Sequence, residues 1–323
     1  MVNPNFRRRV LIVLSSIILL AVLIHLYASD YNFTANKPAW LLAPPPRPLV
    51  LRIGIISQPK EFARRQAFRE NSLRGVPKNE AIIHHRFLVG YSGEGDEDRR
   101  VLEEHLHYGD IIRLDMKESG LRLGEKRWRM LKWASEAHRS TYDYYLMADT
   151  DAFFRLGALA RRLPYRRPDL DSPQTQDIFI GRMGFHKLHF KPNPFDNETT
   201  FEKEDDPWEL GEYRGDEWYL YPLGYGVLIS SHLVDRLASP EVVLPHHVHY
   251  PADDVLVGQW VADFAPGTTI VDDHDGFHDA IKHSWFEDHN KAVDYDSVCV
   301  HHVSASEMKK LRDRTEFAGE WED

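Results

Sequence analysis

Short apolar runs alternate with segments of helical periodicity over much of the chain after residue 48. The apolar runs are rich in branched and aromatic residues, which predicts buried strands. Apolar residues at helical spacing between those runs predict helices. The predicted strands are 49–57, 86–91, 110–116 and 144–154, and the predicted helices are 61–71 and 124–138. Strands that alternate with helices predict an α/β fold with an open, Rossmann-like sheet flanked by helices.

The second half of the chain is less regular. Residues 192–213 are polar and acidic and predict a long surface loop. Residues 218–230 combine aromatic residues with Gly224 and Gly226, which indicates either a backbone that approaches a ligand or a glycine-kinked strand in a core. Asp253 and Asp254 begin an amphipathic helix. Acids at this position stabilise the N-terminus of a helix through its dipole, so a capping role is an alternative to a chemical one.

The chain begins with a segment typical of a membrane anchor. Residues 10–27 are almost entirely apolar and would span about 27 Å as a helix, close to the ~30 Å hydrocarbon core. Arginines precede this segment, so the positive-inside rule places the remainder in the lumen. We expect a cytosolic tail at 1–9, a transmembrane anchor at 10–27, a proline-rich stem at 28–48 and a luminal domain at 49–323. A cleaved signal peptide is the alternative.

The composition limits the classes of partner and of site. The chain has 323 residues and a net charge of −10, and this acidic balance gives no sign of nucleic-acid binding. Its one cysteine, Cys299, excludes an intrachain disulfide and a cysteine-based metal site. Neither a dinucleotide-binding glycine fingerprint nor a Walker loop is present. Asn32 and Asn197 begin N-glycosylation triplets that would be luminal.

Two acids interrupt the apolar run 144–154. Asp149 and Asp151 lie where bare carboxylates are costly unless something pairs with them. A divalent cation is the obvious partner, because hard cations prefer oxygen ligands. A strand-end turn with solvated carboxylates is the alternative. His246, His247 and His249 suggest zinc, but no further ligand at suitable spacing completes the set, and a polar loop is the competing interpretation. The pair His301–His302 is a weaker candidate of the same kind.

Several short motifs follow one another in a specific order and spacing over about residues 51–278: 64–70 (RRQAFRE), 87–90 (FLVG), 108–112 (YGDII), Lys126 with 131–133 (LKW), 149–151 (DTD), 221–222 (YP) with 224–226 (GYG) and Ser230, and 253–255 (DDV) with Gly258. In this order and spacing they resemble the family 31 glycosyltransferases, the β-1,3-galactosyltransferase and fringe group. Thr150 replaces a middle acid of that family, Val227 replaces a usual tyrosine, and the several cysteines of many animal members are missing, which indicates a distant, fungal-type member.

The resemblance implies a GT-A fold, a nucleotide-sugar donor, Mn²⁺ as cofactor and inversion at the anomeric carbon. It implies that Asp151 ligates the metal directly, while Asp149 lies nearer the donor or a metal-bound water. His278 aligns with a fringe-group metal ligand. Asp254 aligns with the family's candidate base, with Asp253 in reserve. The donor-binding positions that follow from the same alignment are Arg64, Arg69, Lys126, Asp149, Gly224 and Gly226. Solvated helix charges are the alternative for Arg69 and Lys126, and a surface histidine is the alternative for His278.

The function implied is a Golgi-type, single-pass type II hexosyltransferase with its catalytic domain at 49–323. It would transfer galactose from UDP-galactose, in β-1,3 linkage, to a glycan acceptor on a glycoprotein, glycolipid or polysaccharide. UDP-N-acetylglucosamine or another UDP-hexose is an alternative donor. A hydrolase would need two acids at a fixed separation across a sugar, and no second motif supports that. An inactive glycan-binding or folding partner on the same scaffold is the remaining alternative.

Overall fold

The computed structural model describes residues 13–20, 37–187, 189–190, 217–244, 253–280 and 290–322. The strands are β1 (Leu49–Ile56), β2 (Ala81–Tyr91), β3 (Ile111–Lys117), β4 (Tyr144–Asp149), β5 (Phe153–Phe154), β6 (Ile178–His186), β7 (Tyr219–Ser230), β8 (Thr269–Asp272), β9 (Phe277–Ala280), β10 (Asn290–Lys291) and β11 (Cys299–His301). The α-helices after residue 37 are α1 (Ala39–Leu42), α2 (Phe62–Phe68), α3 (Gly95–Tyr108), α4 (Leu123–Ser135), α5 (Leu156–Arg166), α6 (Ser231–Leu237), α7 (Asp253–Phe264) and α8 (Ala305–Arg312).

Within these residues the strands form a large mixed sheet and a small one. The large sheet has the order β3-β2-β1-β4-β7-β6-β8, and β7 runs antiparallel to both of its neighbours. The small sheet has the order β10-β9-β11-β5. A mixed α/β fold with a large open sheet flanked by helices is therefore confirmed.

The central strand β4 is buried on both faces. Leu146 and Ala148 belong to a core that includes residues of α5. Tyr145 and Met147 belong to a second core, which α4 and α7 cover. Successive side chains of a strand point to opposite faces, so helices on both sides of the sheet require an unbroken apolar run.

The single strand predicted at 144–154 is two strands. β4 ends at Asp149, where the backbone N–H of Ala152 donates to the Asp149 carbonyl at 3.3 Å and closes a turn. β5 then pairs with β11 in the small sheet. Thr150 and Asp151 consequently lie where the two sheets meet. Aromatic residues follow the turn directly, so the sequence shows one continuous apolar pattern and gives no sign that the strand ends at Asp149.

The predicted stem boundary needs correction. Trp40 and Leu41 of α1 are buried in the core beneath α5. Arg47 donates to the Asp143 carboxylate at 2.7 Å, immediately before β4. The folded domain therefore begins before residue 49, because the segment from about 38 to 48 packs on it instead of forming a free spacer.

The predicted anchor is described only at residues 13–20, which are helical with exposed side chains. None of the described helices combines the length and the apolar character needed to cross a membrane. Asn32, Asn197, the histidines at 246–249 and the predicted loop 192–213 lie outside the described residues.

Candidate active site

Asp149 and Asp151 lie at the carboxyl end of the large sheet. Ile56 of β1 is in register with Asp149 of β4, so the ends of these two parallel strands coincide. Ligands of open α/β sheets bind outside such strand ends. The side chains of Asp149 and Asp151 are 23% and 22% exposed, so both remain accessible. The turn after Asp149 lets the two carboxylates serve different partners.

A histidine from the small sheet completes a group that could hold a metal ion. Ligand atoms of Asp149, Asp151 and His301 all lie within 4.8 Å of one another. The His301 Nε2 atom is 3.4 Å from Asp151 Oδ1. Two carboxylates with one imidazole form a donor set that Mn²⁺ accepts. The residues present therefore fit the cation that the sequence implies.

His301 takes the position that the sequence assigns to His278. In β9 and β11 His301 is in register with Asp279, whereas His278 is in register with Val300, so His278 points to the other face. Its ring nitrogens lie 2.9 Å from the Asp279 carbonyl and 2.7 Å from Ser297 Oγ. Among the described residues, His278 belongs to neither group that could hold a metal. Burial lowers the pKa of His278 to about 4, consistent with a neutral packing residue.

Arg127 of α4 connects the two acidic motifs. Its Nη2 donates to Asp149 Oδ1 at 2.8 Å, and its Nε donates to Asp253 Oδ2. The guanidinium is 3% exposed, so it compensates two carboxylates away from bulk water. Asp149 and Asp253 are 104 positions apart in the sequence, and Arg127 holds them in one site.

Asp253 and Asp254 form the first turn of α7, as predicted. Burial, followed by the neighbouring charge of Asp253, raises the pKa of Asp254 to about 7. Gly224 lies directly against this residue: a Cβ placed there would be 3.3 Å from Asp254 Cβ and 3.2 Å from Arg127 Nη2. A carboxylate with a pKa near neutrality is suited to accept a proton.

The other glycines of these motifs have packing roles. A Cβ at Gly226 would lie 3.1 Å from Phe154 and 3.2 Å from Cys299 Sγ, at the junction of the sheets. A Cβ at Gly258 would lie 2.3 Å from Tyr221 Cβ, so this glycine lets α7 pack closely on β7. Residues 219–230 form strand β7, as one of the two interpretations of this segment predicts.

The three predicted donor-binding cations differ in position. Arg64 is half-exposed and its Nη1 lies 3.6 Å from Asp151 Oδ2, so it reaches the acids. Lys126 is buried and donates to the Ser57 carbonyl at 2.6 Å and to Glu118 at 2.7 Å, directly beyond β1. Arg69 binds other acids, because its three guanidinium nitrogens donate to Asp110 and Glu104. The structure thus gives Arg69 a structural ion-pair role.

Sequence reasoning missed Arg127, and it considered His301 only together with His302, as a weak zinc-binding pair. The signal for Arg127 was charge balance, since buried acids need a cation and Arg127 follows Lys126 on the predicted helix. His301 had no comparable signal. Its strand is short, and the pairing of β11 with β5 that brings it to Asp151 is long-range.

Comparisons with known proteins identify the family of the chain. The family model described as "Galactosyltransferase" matches residues 63–266. The chain is 32% identical over 220 residues to mouse (Mus musculus) "Beta-1,3-galactosyltransferase 6", covering 66% of this chain and 60% of that protein. It is 25% identical over 240 residues to human (Homo sapiens) "UDP-GalNAc:beta-1,3-N-acetylgalactosaminyltransferase 1", covering 72% of this chain and 65% of that protein.

The chain shows only a weak similarity to a solved structure. The crystal structure of the galactosyltransferase LgtC shares 13% identity and a TM-score of 0.37, covering 83% of this chain and 99% of that one. The chain also spans less than two thirds of the length of both curated relatives. The family model nevertheless covers more than half of the chain, including both acidic motifs. The chain therefore belongs to the galactosyltransferase family, glycosyltransferase family 31.

Proposed function

We propose that the protein is an inverting, metal-assisted hexosyltransferase of GT-A type that transfers galactose from UDP-galactose to a glycan hydroxyl in β-1,3 linkage. The observation that carries this proposal is the convergence of Asp149, Asp151 and His301 at a sheet end, linked through Arg127 to the Asp253–Asp254 pair. Family membership supports the chemistry, and the names of the two relatives support a UDP-sugar donor and a β-1,3 linkage.

Asp149, Asp151 and His301 would hold the cation, and Mn²⁺ suits this donor set. When bound, the cation supplies Lewis-acid stabilisation to the charge of the nucleoside diphosphate. Arg127 holds the Asp149 carboxylate in place and so fixes one ligand. Arg64, at the edge of the same group, supplies a positive charge for the donor phosphates.

Asp254 provides the base. Its carboxylate accepts the proton of the acceptor hydroxyl while that oxygen forms a bond to the anomeric carbon. The bond between the anomeric carbon and the diphosphate oxygen breaks, and UDP leaves with that electron pair. Attack from the face opposite to the leaving group inverts the configuration. Asp253 is bound by Arg127 and is therefore less suited to accept the proton.

A different donor is the second candidate. One relative's name specifies UDP-GalNAc, and pocket changes that the sequence pattern does not reveal would suffice for UDP-N-acetylglucosamine or another UDP-hexose. An inactive binding partner is disfavoured, because such a protein has no need to keep Asp149, Asp151 and Asp254 together. We also propose that the catalytic domain faces the Golgi lumen, anchored by the apolar segment 10–27.

The test uses the full chain and a panel of UDP-sugars, with UDP release as the readout. We expect release from one preferred UDP-hexose, loss of activity with EDTA and recovery with Mn²⁺. Asp151→Asn should lose most activity, whereas Asp115→Asn, an exposed acid on β3, should not. Product analysis by NMR then gives the linkage and the anomeric configuration. UDP release that EDTA does not affect would contradict the metal-assisted mechanism.

A further inference from the structure

The ring of His301 is held on three sides. Its Nδ1 lies 2.7 Å from Asp279 Oδ1. The ring of Tyr225 stacks on it with centroids 4.4 Å apart and planes at 18°. The ring of His302 lies 3.8 Å from it at 30°. Two nearly parallel rings this close cannot occupy the same face, so Tyr225 and His302 flank the His301 imidazole. The Nε2 edge, which faces Asp151, is left for a ligand.

The hydrogen bond to Asp279 defines which nitrogen is available. An ionised carboxylate only accepts hydrogen bonds, so Nδ1 carries the hydrogen and donates it. In the neutral ring the lone pair then belongs to Nε2, the atom 3.4 Å from Asp151 Oδ1. A histidine that ligates a metal commonly donates its other N–H to a carboxylate or a carbonyl, which fixes the tautomer and the ring orientation.

The residues around His301 come from separate parts of the fold. Asp279 is on β9 and is 4% exposed, and the parallel register of β9 and β11 places it opposite His301. Tyr225 is on β7 of the large sheet, between the two glycines. His302 follows β11 directly with a φ of 55°, a left-handed conformation that is uncommon outside glycine and often found at functional sites.

We propose that Asp279 and Tyr225 are positioning residues that hold His301 so that its Nε2 faces a divalent cation. The inference rests on the proposed function, since it concerns the cation shared with Asp149 and Asp151. It gives the tyrosine of the GYG segment a role in orienting a ligand, and it gives the acid after His278 the role of fixing a tautomer. Neither residue belongs to the group formed by Asp149, Asp151 and His301.

A competing arrangement uses the same residues. Asp279, His301 and His302 form a second group whose ligand atoms lie within 4.8 Å of one another. An ion there would be bound by Asp279 itself and by His302. In the proposed arrangement His302 flanks the ring, and its Nδ1 lies 3.3 Å from Asp279 Oδ1 without binding the ion. The direct 2.7 Å hydrogen bond between Nδ1 and Asp279 favours the positioning role. His302→Gln separates the two arrangements.

The experiment measures Mn²⁺ binding to the full chain in the presence of UDP. Electron paramagnetic resonance of free Mn²⁺ gives the affinity, and spin-echo modulation detects an imidazole nitrogen on the bound ion. We expect wild type to show the nitrogen signal and His301→Gln to lose it. Asp279→Asn should bind Mn²⁺ about 10- to 100-fold more weakly and keep the signal at saturation. Tyr225→Leu should also weaken binding.

Two variants should match wild type in affinity. Tyr225→Phe keeps the stacked ring and removes a buried hydroxyl that has no hydrogen-bond partner among the described residues. His302→Gln removes a flanking ring but no ligand. Wild-type affinity in both Asp279→Asn and Tyr225→Leu would overturn the positioning role while leaving the proposed function intact. If Asp279→Asn does not fold, wild-type affinity in Tyr225→Leu alone overturns it.

Two further results would contradict the proposal in different ways. A loss of affinity in His302→Gln as large as that in Asp279→Asn would place the ion in the second group. Absence of a nitrogen signal in wild type would remove His301 from the ligand set, and with it this part of the proposed function. UDP release that depends on Mn²⁺ would still support the transferase itself, so the two failures are distinguishable.

Discussion

Arg127 and Asp149 form a partly buried ion pair, with 2.8 Å between Nη2 and Oδ1, at the end of the central strand. The same guanidinium also binds Asp253. Arg127→Met would leave two carboxylates partly buried without a cation, so we expect the free energy of unfolding at pH 8 to fall by about 3 kcal/mol. At pH 5 the loss should be smaller, because protonation relieves the unpaired charges. Urea denaturation at both pH values measures the difference.

Arg129 provides the matched control for Arg127. It lies on the same helix but is one-third exposed and pairs with Glu125 at 2.8 Å, four residues before it. Arg129→Met should change the free energy of unfolding by less than about 1 kcal/mol at either pH. Equal losses in the two variants would show that Arg127 is not the ion-pair centre of the site.

Replacement of the base should separate binding from turnover. Asp254→Asn keeps the size of the side chain but cannot accept the hydroxyl proton, so kcat should fall about 10²- to 10⁴-fold. Donor affinity, measured by calorimetry with UDP and Mn²⁺, should change little. Normal turnover in Asp254→Asn, together with loss in Asp253→Asn, would assign the base to Asp253 instead.

The acid limb of the activity profile reports on the same carboxyl. Burial and the charge of Asp253 raise the pKa of Asp254 to about 7, so kcat/KM should fall as the pH drops below about 7. Asp253→Asn removes the neighbouring charge and should move this limb to lower pH. The profile is measured by UDP release from pH 5 to pH 9. A limb that moves upward would exclude Asp254 as the titrating group.

The parts of this site that could be predicted from sequence are those whose contacts are local along the chain. The strand ending at Asp149 and the helix starting at Asp253 have local signatures, a short apolar run and acids at a helix start. The helix α3 lacks such a signature, since Val101 is its one buried apolar residue. The position of His301 depends on pairings of β11 with β5 and β9, which no local pattern encodes. The motif around His278 therefore indicated the strand pair that reaches the acids, whereas the histidine that lies beside Asp151 is His301.

Stability should depend on pH through Asp254. Its pKa in the folded state is about 7, whereas an unfolded aspartate titrates near 3.9. The folded protein therefore binds more protons between about pH 4 and pH 7, and its stability falls as the pH rises through that window. Asp254→Asn does not titrate, so its stability relative to wild type should be greater at pH 8 than at pH 5. Urea denaturation of both proteins at pH 5 and pH 8 measures this difference in the free energy of unfolding. A difference that does not change with pH would show that burial does not raise this pKa.

Gly224 should matter for turnover more than for folding. A methyl group there would stand 3.3 Å from Asp254 Cβ and 3.2 Å from Arg127 Nη2, so both side chains must shift by a few tenths of an ångström. Small displacements of a catalytic group are costly, and we expect Gly224→Ala to lower kcat by at least about 10-fold. Its melting temperature should stay near that of wild type, because flexible side chains can yield.

Gly95→Ala is the control for this substitution. A Cβ at Gly95 meets nothing within 4 Å, and the residue begins α3, where alanine is favourable. This variant should keep wild-type kcat and gain slightly in stability.

Gly258→Ala is a second control, which should affect stability directly. Its Cβ would collide with Tyr221, so the substitution should lower the free energy of unfolding by about 1–3 kcal/mol. If Gly224→Ala instead unfolds like Gly258→Ala and keeps its kcat, the close approach serves packing and does not position the base.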